Sequence, residues 1–131
     1  MISTPFTLLY ASLNALLYLF LSFYVVFVRI NEKIELGDAN HPKMLQVIRV
    51  HANAAEYIPL VLLLMFVLEV NHAGPILLNL IGASLLLGRI LHAYGLNKSR
   101  GPSFGRFLGT NLTWISLLIS AVACLYFYLK K

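Results

Sequence analysis

Residues 1–28, MISTPFTLLYASLNALLYLFLSFYVVFV, contain no charged side chain and decide the class of this 131-residue chain. As an α-helix, this stretch would rise about 42 Å, which exceeds the roughly 30 Å of bilayer hydrocarbon. It is too long for the apolar core of a signal peptide, and no lysine or arginine precedes it. We therefore predict an uncleaved first membrane span over residues 4–30.

The composition of the whole chain also indicates a membrane protein. Sixty per cent of the residues are hydrophobic, 11% are charged, and the mean hydropathy is +0.80. Soluble domains carry about 25% charged residues, which argues against a water-soluble enzyme of this size. High hydrophobicity excludes a disordered chain, and the lone Cys124 excludes a disulfide scaffold. The length permits one domain, residues 1–131.

Apolar runs beyond the first span predict three further membrane helices. Polar connections rich in Gly, Pro and Asn separate them at residues 31–43 and 97–102, with a tight turn at 71–75. The predicted spans are residues 44–71, 75–96 and 103–129. The sequence therefore predicts an all-α, integral membrane four-helix bundle.

The distribution of basic residues predicts the orientation of the bundle. Eight of the ten lysines and arginines flank the connections at 31–43 and 97–102, whereas the turn at 71–75 has none. The other two are Lys130 and Lys131 at the end of the chain. The positive-inside rule then places both polar connections in the cytoplasm and both termini outside. Topology thus explains the net charge of +5, and no nucleic-acid partner is predicted.

Polar side chains within the second and third spans predict a site near the cytoplasmic face. Arg49, Asn53 and Glu56 are spaced by four and three residues, which places them on one stripe of a helix. Arg89 and His92 form a second pair at spacing three, near the same face. Burying an ionised carboxylate at this depth in the membrane costs several kcal/mol of free energy unless a cation or a hydrogen-bond donor binds it.

Every predicted helix brings an ionisable group to that end of the bundle, because Arg29 ends the first span and Arg106 opens the fourth. Glu56 could pair with Arg49 or with Arg89, and the cluster would then be structural. Four arginines nevertheless exceed one glutamate, and such an excess of positive charge would attract an anion. A zwitterionic small molecule with extra carboxylates and an anionic lipid head group both fit this description.

Two motifs carry a resemblance to a known family. The stretch RVHANAAE at residues 49–56, followed by Pro59, resembles the second-helix signature of the MAPEG proteins, the membrane-associated proteins in eicosanoid and glutathione metabolism. The stretch GRILH at residues 88–92 is similar to their third-helix motif of arginine, two residues and histidine. Arg29 and Arg106 stand where the family has arginines ending its first helix and opening its fourth.

The resemblance implies a homotrimeric bundle that binds glutathione as a co-substrate between subunits, near the cytoplasmic face. It implies a transferase, and in some members a peroxidase, acting on apolar electrophiles or lipid hydroperoxides from the bilayer. Arg106 would be catalytic, because a guanidinium at a helix N-terminus favours the glutathione thiolate. The residues carried over as glutathione contacts are Arg29, Arg49, Asn53, Glu56, Arg89 and His92, with Arg106.

Two departures from the family pattern keep other functions open. Many relatives have an arginine where this chain has Ala52 and a tyrosine where it has Leu96. These differences favour the bacterial branch that resembles microsomal glutathione transferases, in the inner membrane. They also allow a non-catalytic binding or scaffold protein that retains the anion site. A small cation exporter would need a first-span glutamate, which residues 1–28 do not contain.

Other polar residues are assigned structural roles. His51 lies about 160° around the helix from Arg49, and we expect it to hydrogen-bond across helices. Gly105 and Gly109 predict close helix packing, Glu69 is expected at the outer membrane interface, and Cys124 is expected to be inert. No pair of histidines shares a face with a carboxylate at metal spacing, so no metal site is predicted. The polar residues of the first connection are expected to be solvated: Glu32, Glu35, Asp38 and His41.

Overall fold

The computed structural model describes residues 3–98 and 103–130, and it contains four α-helices in these ranges. Each helix is long and apolar enough to cross a membrane, and no strand occurs in the described residues. The prediction of an all-α, four-span fold is confirmed, with each helix end within two residues of the predicted one. The predicted loop at 97–102 falls mostly outside the described residues. The helices are α1 (Pro5–Asn31), α2 (Pro42–Val70), α3 (Pro75–Lys98) and α4 (Phe104–Leu129).

Local sequence signals start the helices at these positions. Pro5 and Pro42 occupy the first turns of α1 and α2, where a missing N–H costs no hydrogen bond. His41 Nδ1 accepts a hydrogen bond from the backbone N–H of Met44, 3.4 Å away, and so caps α2. The helix continues through Pro59, which membrane helices tolerate because neighbouring groups satisfy the freed carbonyl.

The two ends of the bundle have different chemistry. At one end, which we call the loop end, α1 leads into α2 and α3 leads towards α4. At the other end, which we call the terminal end, lie the start of α1, the α2–α3 turn and the end of α4. The predicted site residues belong to the loop end.

Glu69 of α2 is buried and binds the start of α1 at the terminal end of the bundle. This position corrects the expectation of an interfacial side chain. Glu69 is only 7% exposed, and its two carboxylate oxygens accept hydrogen bonds from the backbone N–H groups of Phe6 and Thr7, at 2.8 and 2.7 Å. The first N–H groups of a helix have no partner within the helix, and they carry partial positive charge. A carboxylate from α2 therefore anchors the start of α1.

Substituting Glu69 by glutamine is expected to lower the free energy of unfolding by about 1.5–3 kcal/mol, because the amide keeps only one acceptor and no charge. Reversible unfolding in mixed detergent micelles measures this change. Glu35→Gln, which alters an exposed acid of the first connection, is the matched control and should leave stability unchanged. Equal stability of the two variants would contradict the anchoring role.

Glycines bring α3 and α4 into backbone contact at the loop end, which confirms the close packing predicted from Gly105 and Gly109. A Cβ atom on Gly109 would lie 2.6 Å from the carbonyl oxygen of Gly88, and a Cβ atom on Gly95 would lie 2.8 Å from the carbonyl carbon of Gly105. Small residues permit such close approach between membrane helices. His92 and the first turn of α4 are consequently held side by side.

Candidate functional site

A cavity of about 530 Å³ opens at the loop end of the bundle. This volume lies within the range of roughly 300–1,000 Å³ that is typical of small-molecule sites. The first connection and helices α2, α3 and α4 all contribute to its walls. The lining includes Asp38, Arg49, Asn53, His92, Leu96 and Arg106.

Four of the predicted site residues meet in this cavity. Arg49 and Asn53 come from one face of α2, His92 from α3 and Arg106 from the first turn of α4. The helical spacing of four places Arg49 above Asn53, and the glycine contact between α3 and α4 places His92 beside the start of α4. Residues far apart in the sequence thus form one polar wall.

Arg106 lies where two sources of positive charge coincide. Ser103 caps α4 by accepting a hydrogen bond from the backbone N–H of Arg106, 3.3 Å away. The Ser103 hydroxyl also donates to the carbonyl of Gly95, 3.1 Å away, which ties the start of α4 to α3. The Arg106 side chain is exposed and adds its guanidinium charge to the partial positive charge of the helix N-terminus.

Glu56 pairs with Arg49, which was one of the two alternatives the sequence left open. Arg49 Nη2 and Glu56 Oε1 are 3.9 Å apart, and the two side chains are 57% and 50% exposed. Asn53 Nδ2 donates to Glu56 Oε2 at 3.5 Å. Glu56 does not line the described cavity, whereas its two partners, Arg49 and Asn53, do.

Arg89 is the buried centre of the polar cluster. Its side chain is 2% exposed, and its guanidinium lies over the ring of Tyr57, 5.5 Å from the centroid. Nε donates to Thr113 Oγ1 at 3.0 Å, and Nη1 donates to Asn53 Oδ1 at 2.6 Å. Arg89 therefore joins α3 to both α2 and α4 and orients the Asn53 amide. Its predicted contact with glutathione stays a prediction.

Arg29 lies outside the cavity and holds the first connection in place. Its Nη1 donates to the carbonyls of Ile34 and Gly37, at 3.3 and 3.2 Å. The groove that it lines is a separate one, formed with Lys33 and Glu35. Its role in binding glutathione likewise stays a prediction.

Comparison with known proteins identifies the family. A model of the MAPEG family matches residues 7–126. The chain belongs to the MAPEG family. The resemblance read from residues 49–56 and 88–92 is thereby confirmed.

The curated relatives of this MAPEG protein are bacterial. The chain is 37% identical over 119 residues to the inner membrane protein YecN of Escherichia coli strain K12, and the alignment covers 91% of this chain and 89% of YecN. YecN of Escherichia coli O6:H1, strain CFT073, matches with the same identity and coverage.

His51, at the third position of the MAPEG motif, has the structural role expected from its place on the helix. Its Nε2 lies 3.0 Å from the Ser22 hydroxyl of α1, and its ring packs on that of Tyr18 with 4.5 Å between centroids. Among the described residues, no group of three or more His, Cys, Asp or Glu could hold a metal ion.

Sequence reasoning missed the contribution of the first connection to the site of this MAPEG protein. Asp38 and His41 were given no role in the site, but both line the cavity, together with Gln46, whose amide donates to the carbonyl of Leu96. The one available signal was Pro42, which is typical of the first turn of a helix and starts α2 directly after His41.

Proposed function

We propose that this MAPEG protein is a glutathione transferase of the bacterial inner membrane that joins the glutathione thiol to apolar electrophiles from the bilayer. The observation that carries the proposal is the loop-end cavity, where Arg49 and Arg106 accompany Asn53 and His92. Family membership supports the proposal, and the name of the relative YecN supports the location.

The donor set of the cavity fits the chemistry of glutathione, which has two carboxylates, one ammonium and one thiol. Arginine forks bind carboxylates through paired, charge-assisted hydrogen bonds. Asn53 has its oxygen engaged by Arg89 at 2.6 Å, which orients its amide nitrogen as a donor. The cavity volume of about 530 Å³ accommodates a tripeptide.

The position of Arg106 at the cavity and at the start of α4 supports a role in thiol activation. A free thiol with a pKa of about 8.5 is mostly protonated at pH 7. The Arg106 guanidinium and the N-terminus of α4 together favour the thiolate over the thiol, and the proton leaves to solvent. Lowering the thiol pKa by two units corresponds to about 2.7 kcal/mol of preferential binding of the anion.

The chain's own residues then position a substitution reaction. The cavity walls hold the sulfur near the membrane face, where an apolar electrophile can arrive laterally from lipid. The sulfur lone pair forms the new S–C bond, and the leaving group departs with its bonding electrons. Fixing both reactants in one orientation and stabilising the anion supply the rate enhancement. Lipid hydroperoxides are the second substrate class that the proposal covers.

The exposed ion pair on α2 supports an assembly of several subunits. Arg49 and Glu56 lie within a helix that is long and apolar enough to span the membrane, yet their side chains are 57% and 50% exposed in the single chain. Charged side chains in such helices face protein or a water-filled space rather than lipid. We propose that neighbouring subunits of a homotrimer cover this face, with both polar connections in the cytoplasm and both termini outside.

Conjugation of glutathione to a model aryl halide tests the proposed activity. The protein in lipid nanodiscs should form the thioether well above the uncatalysed rate, and Glu56→Gln should lower that rate because it removes the carboxylate that holds Arg49 in position beside the cavity. Glu35→Gln is the matched control and should behave as wild type. Bound glutathione without any acceleration would contradict the transferase proposal.

That last outcome would instead support a non-catalytic binding protein, which one feature of the cavity favours. Leu96 lines the wall at the position where many relatives have a tyrosine. Leucine offers no hydroxyl to a reacting sulfur, whereas it leaves the arginines available for an anion. Binding and turnover measured on the same sample therefore separate the two functions.

A further inference from the structure

An apolar groove of about 550 Å³ lies between α3 and α4 in the terminal half of the bundle. Leu77 of α3 forms one side, and residues of α4 between Leu118 and Phe127 form the other. Each described residue of this lining is apolar or aromatic. The groove is separate from the loop-end cavity, because Leu118 lies 12 residues, or about 18 Å of helix, beyond Arg106.

The shape of the groove suits one acyl chain. Leu118, Val122 and Tyr126 are spaced by four residues and so form one row along α4, and their side chains are 64%, 56% and 55% exposed. This row rises about 12 Å, which is close to the roughly 15 Å of hydrocarbon in one leaflet of a bilayer. In the neighbouring row, Ala123 has a small side chain that leaves a depression.

A cation stands at the terminal end of this groove. Lys130 directly follows α4, and its Nζ lies 5.2 Å from the centroid of the Tyr126 ring. A hydrogen bond with the Tyr126 side chain raises the pKa of Lys130, so its ammonium stays charged. Among the described residues, no ion pair engages this ammonium. An apolar groove thus leads to an exposed positive charge.

We propose that the groove and Lys130 bind an anionic phospholipid, with one acyl chain along the row from Leu118 to Tyr126 and the phosphate on the Lys130 ammonium. Long lysine side chains reach from the apolar part of a membrane to its polar surface. A zwitterionic lipid offers the same acyl chain, but its own cation opposes the charge of Lys130. One lysine near the surface favours an anionic lipid by about fivefold.

Quenching of tryptophan fluorescence by brominated acyl chains tests the proposal at the groove itself. Trp114 is the single tryptophan of the chain, so Trp114→Phe provides a background without tryptophan, and Val122→Trp then places a reporter in the groove. The full chain is studied in nanodiscs of phosphatidylcholine and phosphatidylglycerol. The quenching should show phosphatidylglycerol enriched about fivefold over phosphatidylcholine at the reporter. Leu118→Trp is a second reporter, should Val122→Trp fail to fold.

Three variants serve as comparisons. Leu16→Trp places a reporter on α1, at a position whose exposure of 64% is similar to the 56% of Val122, and it should show no preference between the lipids. Lys130→Gln should abolish the preference at the groove. Lys43→Gln should leave it unchanged, although Lys43 also lies over a tyrosine ring, 5.5 Å from the centroid of Tyr24.

Three results would overturn the proposal. Equal quenching by the two lipids at the groove, or a preference that survives in Lys130→Gln, would contradict the role of Lys130. The same preference at Leu16→Trp would show general enrichment of the anionic lipid around the protein rather than a site. A folded groove reporter that neither lipid quenches would show that protein, such as a second copy of the chain, covers the groove.

Discussion

Alanine at Arg106 is expected to lower kcat/KM for conjugation by roughly 100- to 1,000-fold, which is the usual loss when a preorganised group that stabilises a reacting anion is removed. The Arg106 side chain is exposed in the cavity, and the cap of α4 uses only its backbone N–H. The substitution therefore removes the guanidinium without disturbing the helix start. Ultraviolet absorbance of the bound thiolate should fall in parallel with the rate.

Two further variants sharpen the test of Arg106. Arg106→Lys keeps the charge but not the planar fork, so its rate should lie between those of the wild type and the alanine variant. Lys43→Ala removes a cation at the start of α2, outside the described cavity lining, and should leave the rate unchanged. Retention of the full thiolate absorbance in Arg106→Ala would contradict the catalytic role of Arg106.

Arg89→Met is expected to lower the free energy of unfolding by about 1.5–3 kcal/mol, because it removes a buried, charged hydrogen-bond donor from the centre of the bundle. Methionine keeps most of the apolar volume, so the loss reports on the bonds to Asn53 and Thr113 rather than on a cavity. Thr113 keeps its hydrogen bond to the carbonyl of Gly109 in this variant, whereas Asn53 Oδ1 loses the hydrogen bond from Arg89. Glutathione affinity should fall as well, since the Asn53 amide is no longer oriented.

Arg49→Met provides the contrast for Arg89. Arg49 is half-exposed and its pair with Glu56 is long, so its loss should cost at most about 1 kcal/mol of stability. Because Arg49 lines the cavity, the same substitution should weaken glutathione binding strongly. Equal loss of stability in Arg89→Met and Arg49→Met would contradict the assignment of a structural role to Arg89 and a binding role to Arg49.

The membrane helices and half of the site could be predicted from the sequence because both depend on local periodicity. Charge-free runs such as residues 1–28 report span length directly, and the spacing of Arg49, Asn53 and Glu56 fixes their common face on one helix. Contacts within one helix follow from its geometry. The Arg49–Glu56 pair is of this kind.

Contacts between helices could not be predicted in the same way. The partner of Arg89 on α4, Thr113, is 24 positions along the chain, and the groups that Glu69 binds are 63 and 62 positions away. Which side chains meet depends on the rotation and depth of each helix, and these follow from glycine contacts that no single helix reveals. The place of Asp38 in the cavity lining could not be predicted, because a loop residue has no helical periodicity.

Equilibrium dialysis of labelled glutathione against the purified protein tests the central claim most directly, because it needs neither the electrophile nor turnover. We expect saturable binding that is lost in Arg49→Met and Arg106→Ala and retained in Lys43→Ala. Absence of saturable binding to the folded wild type at millimolar glutathione would contradict the account.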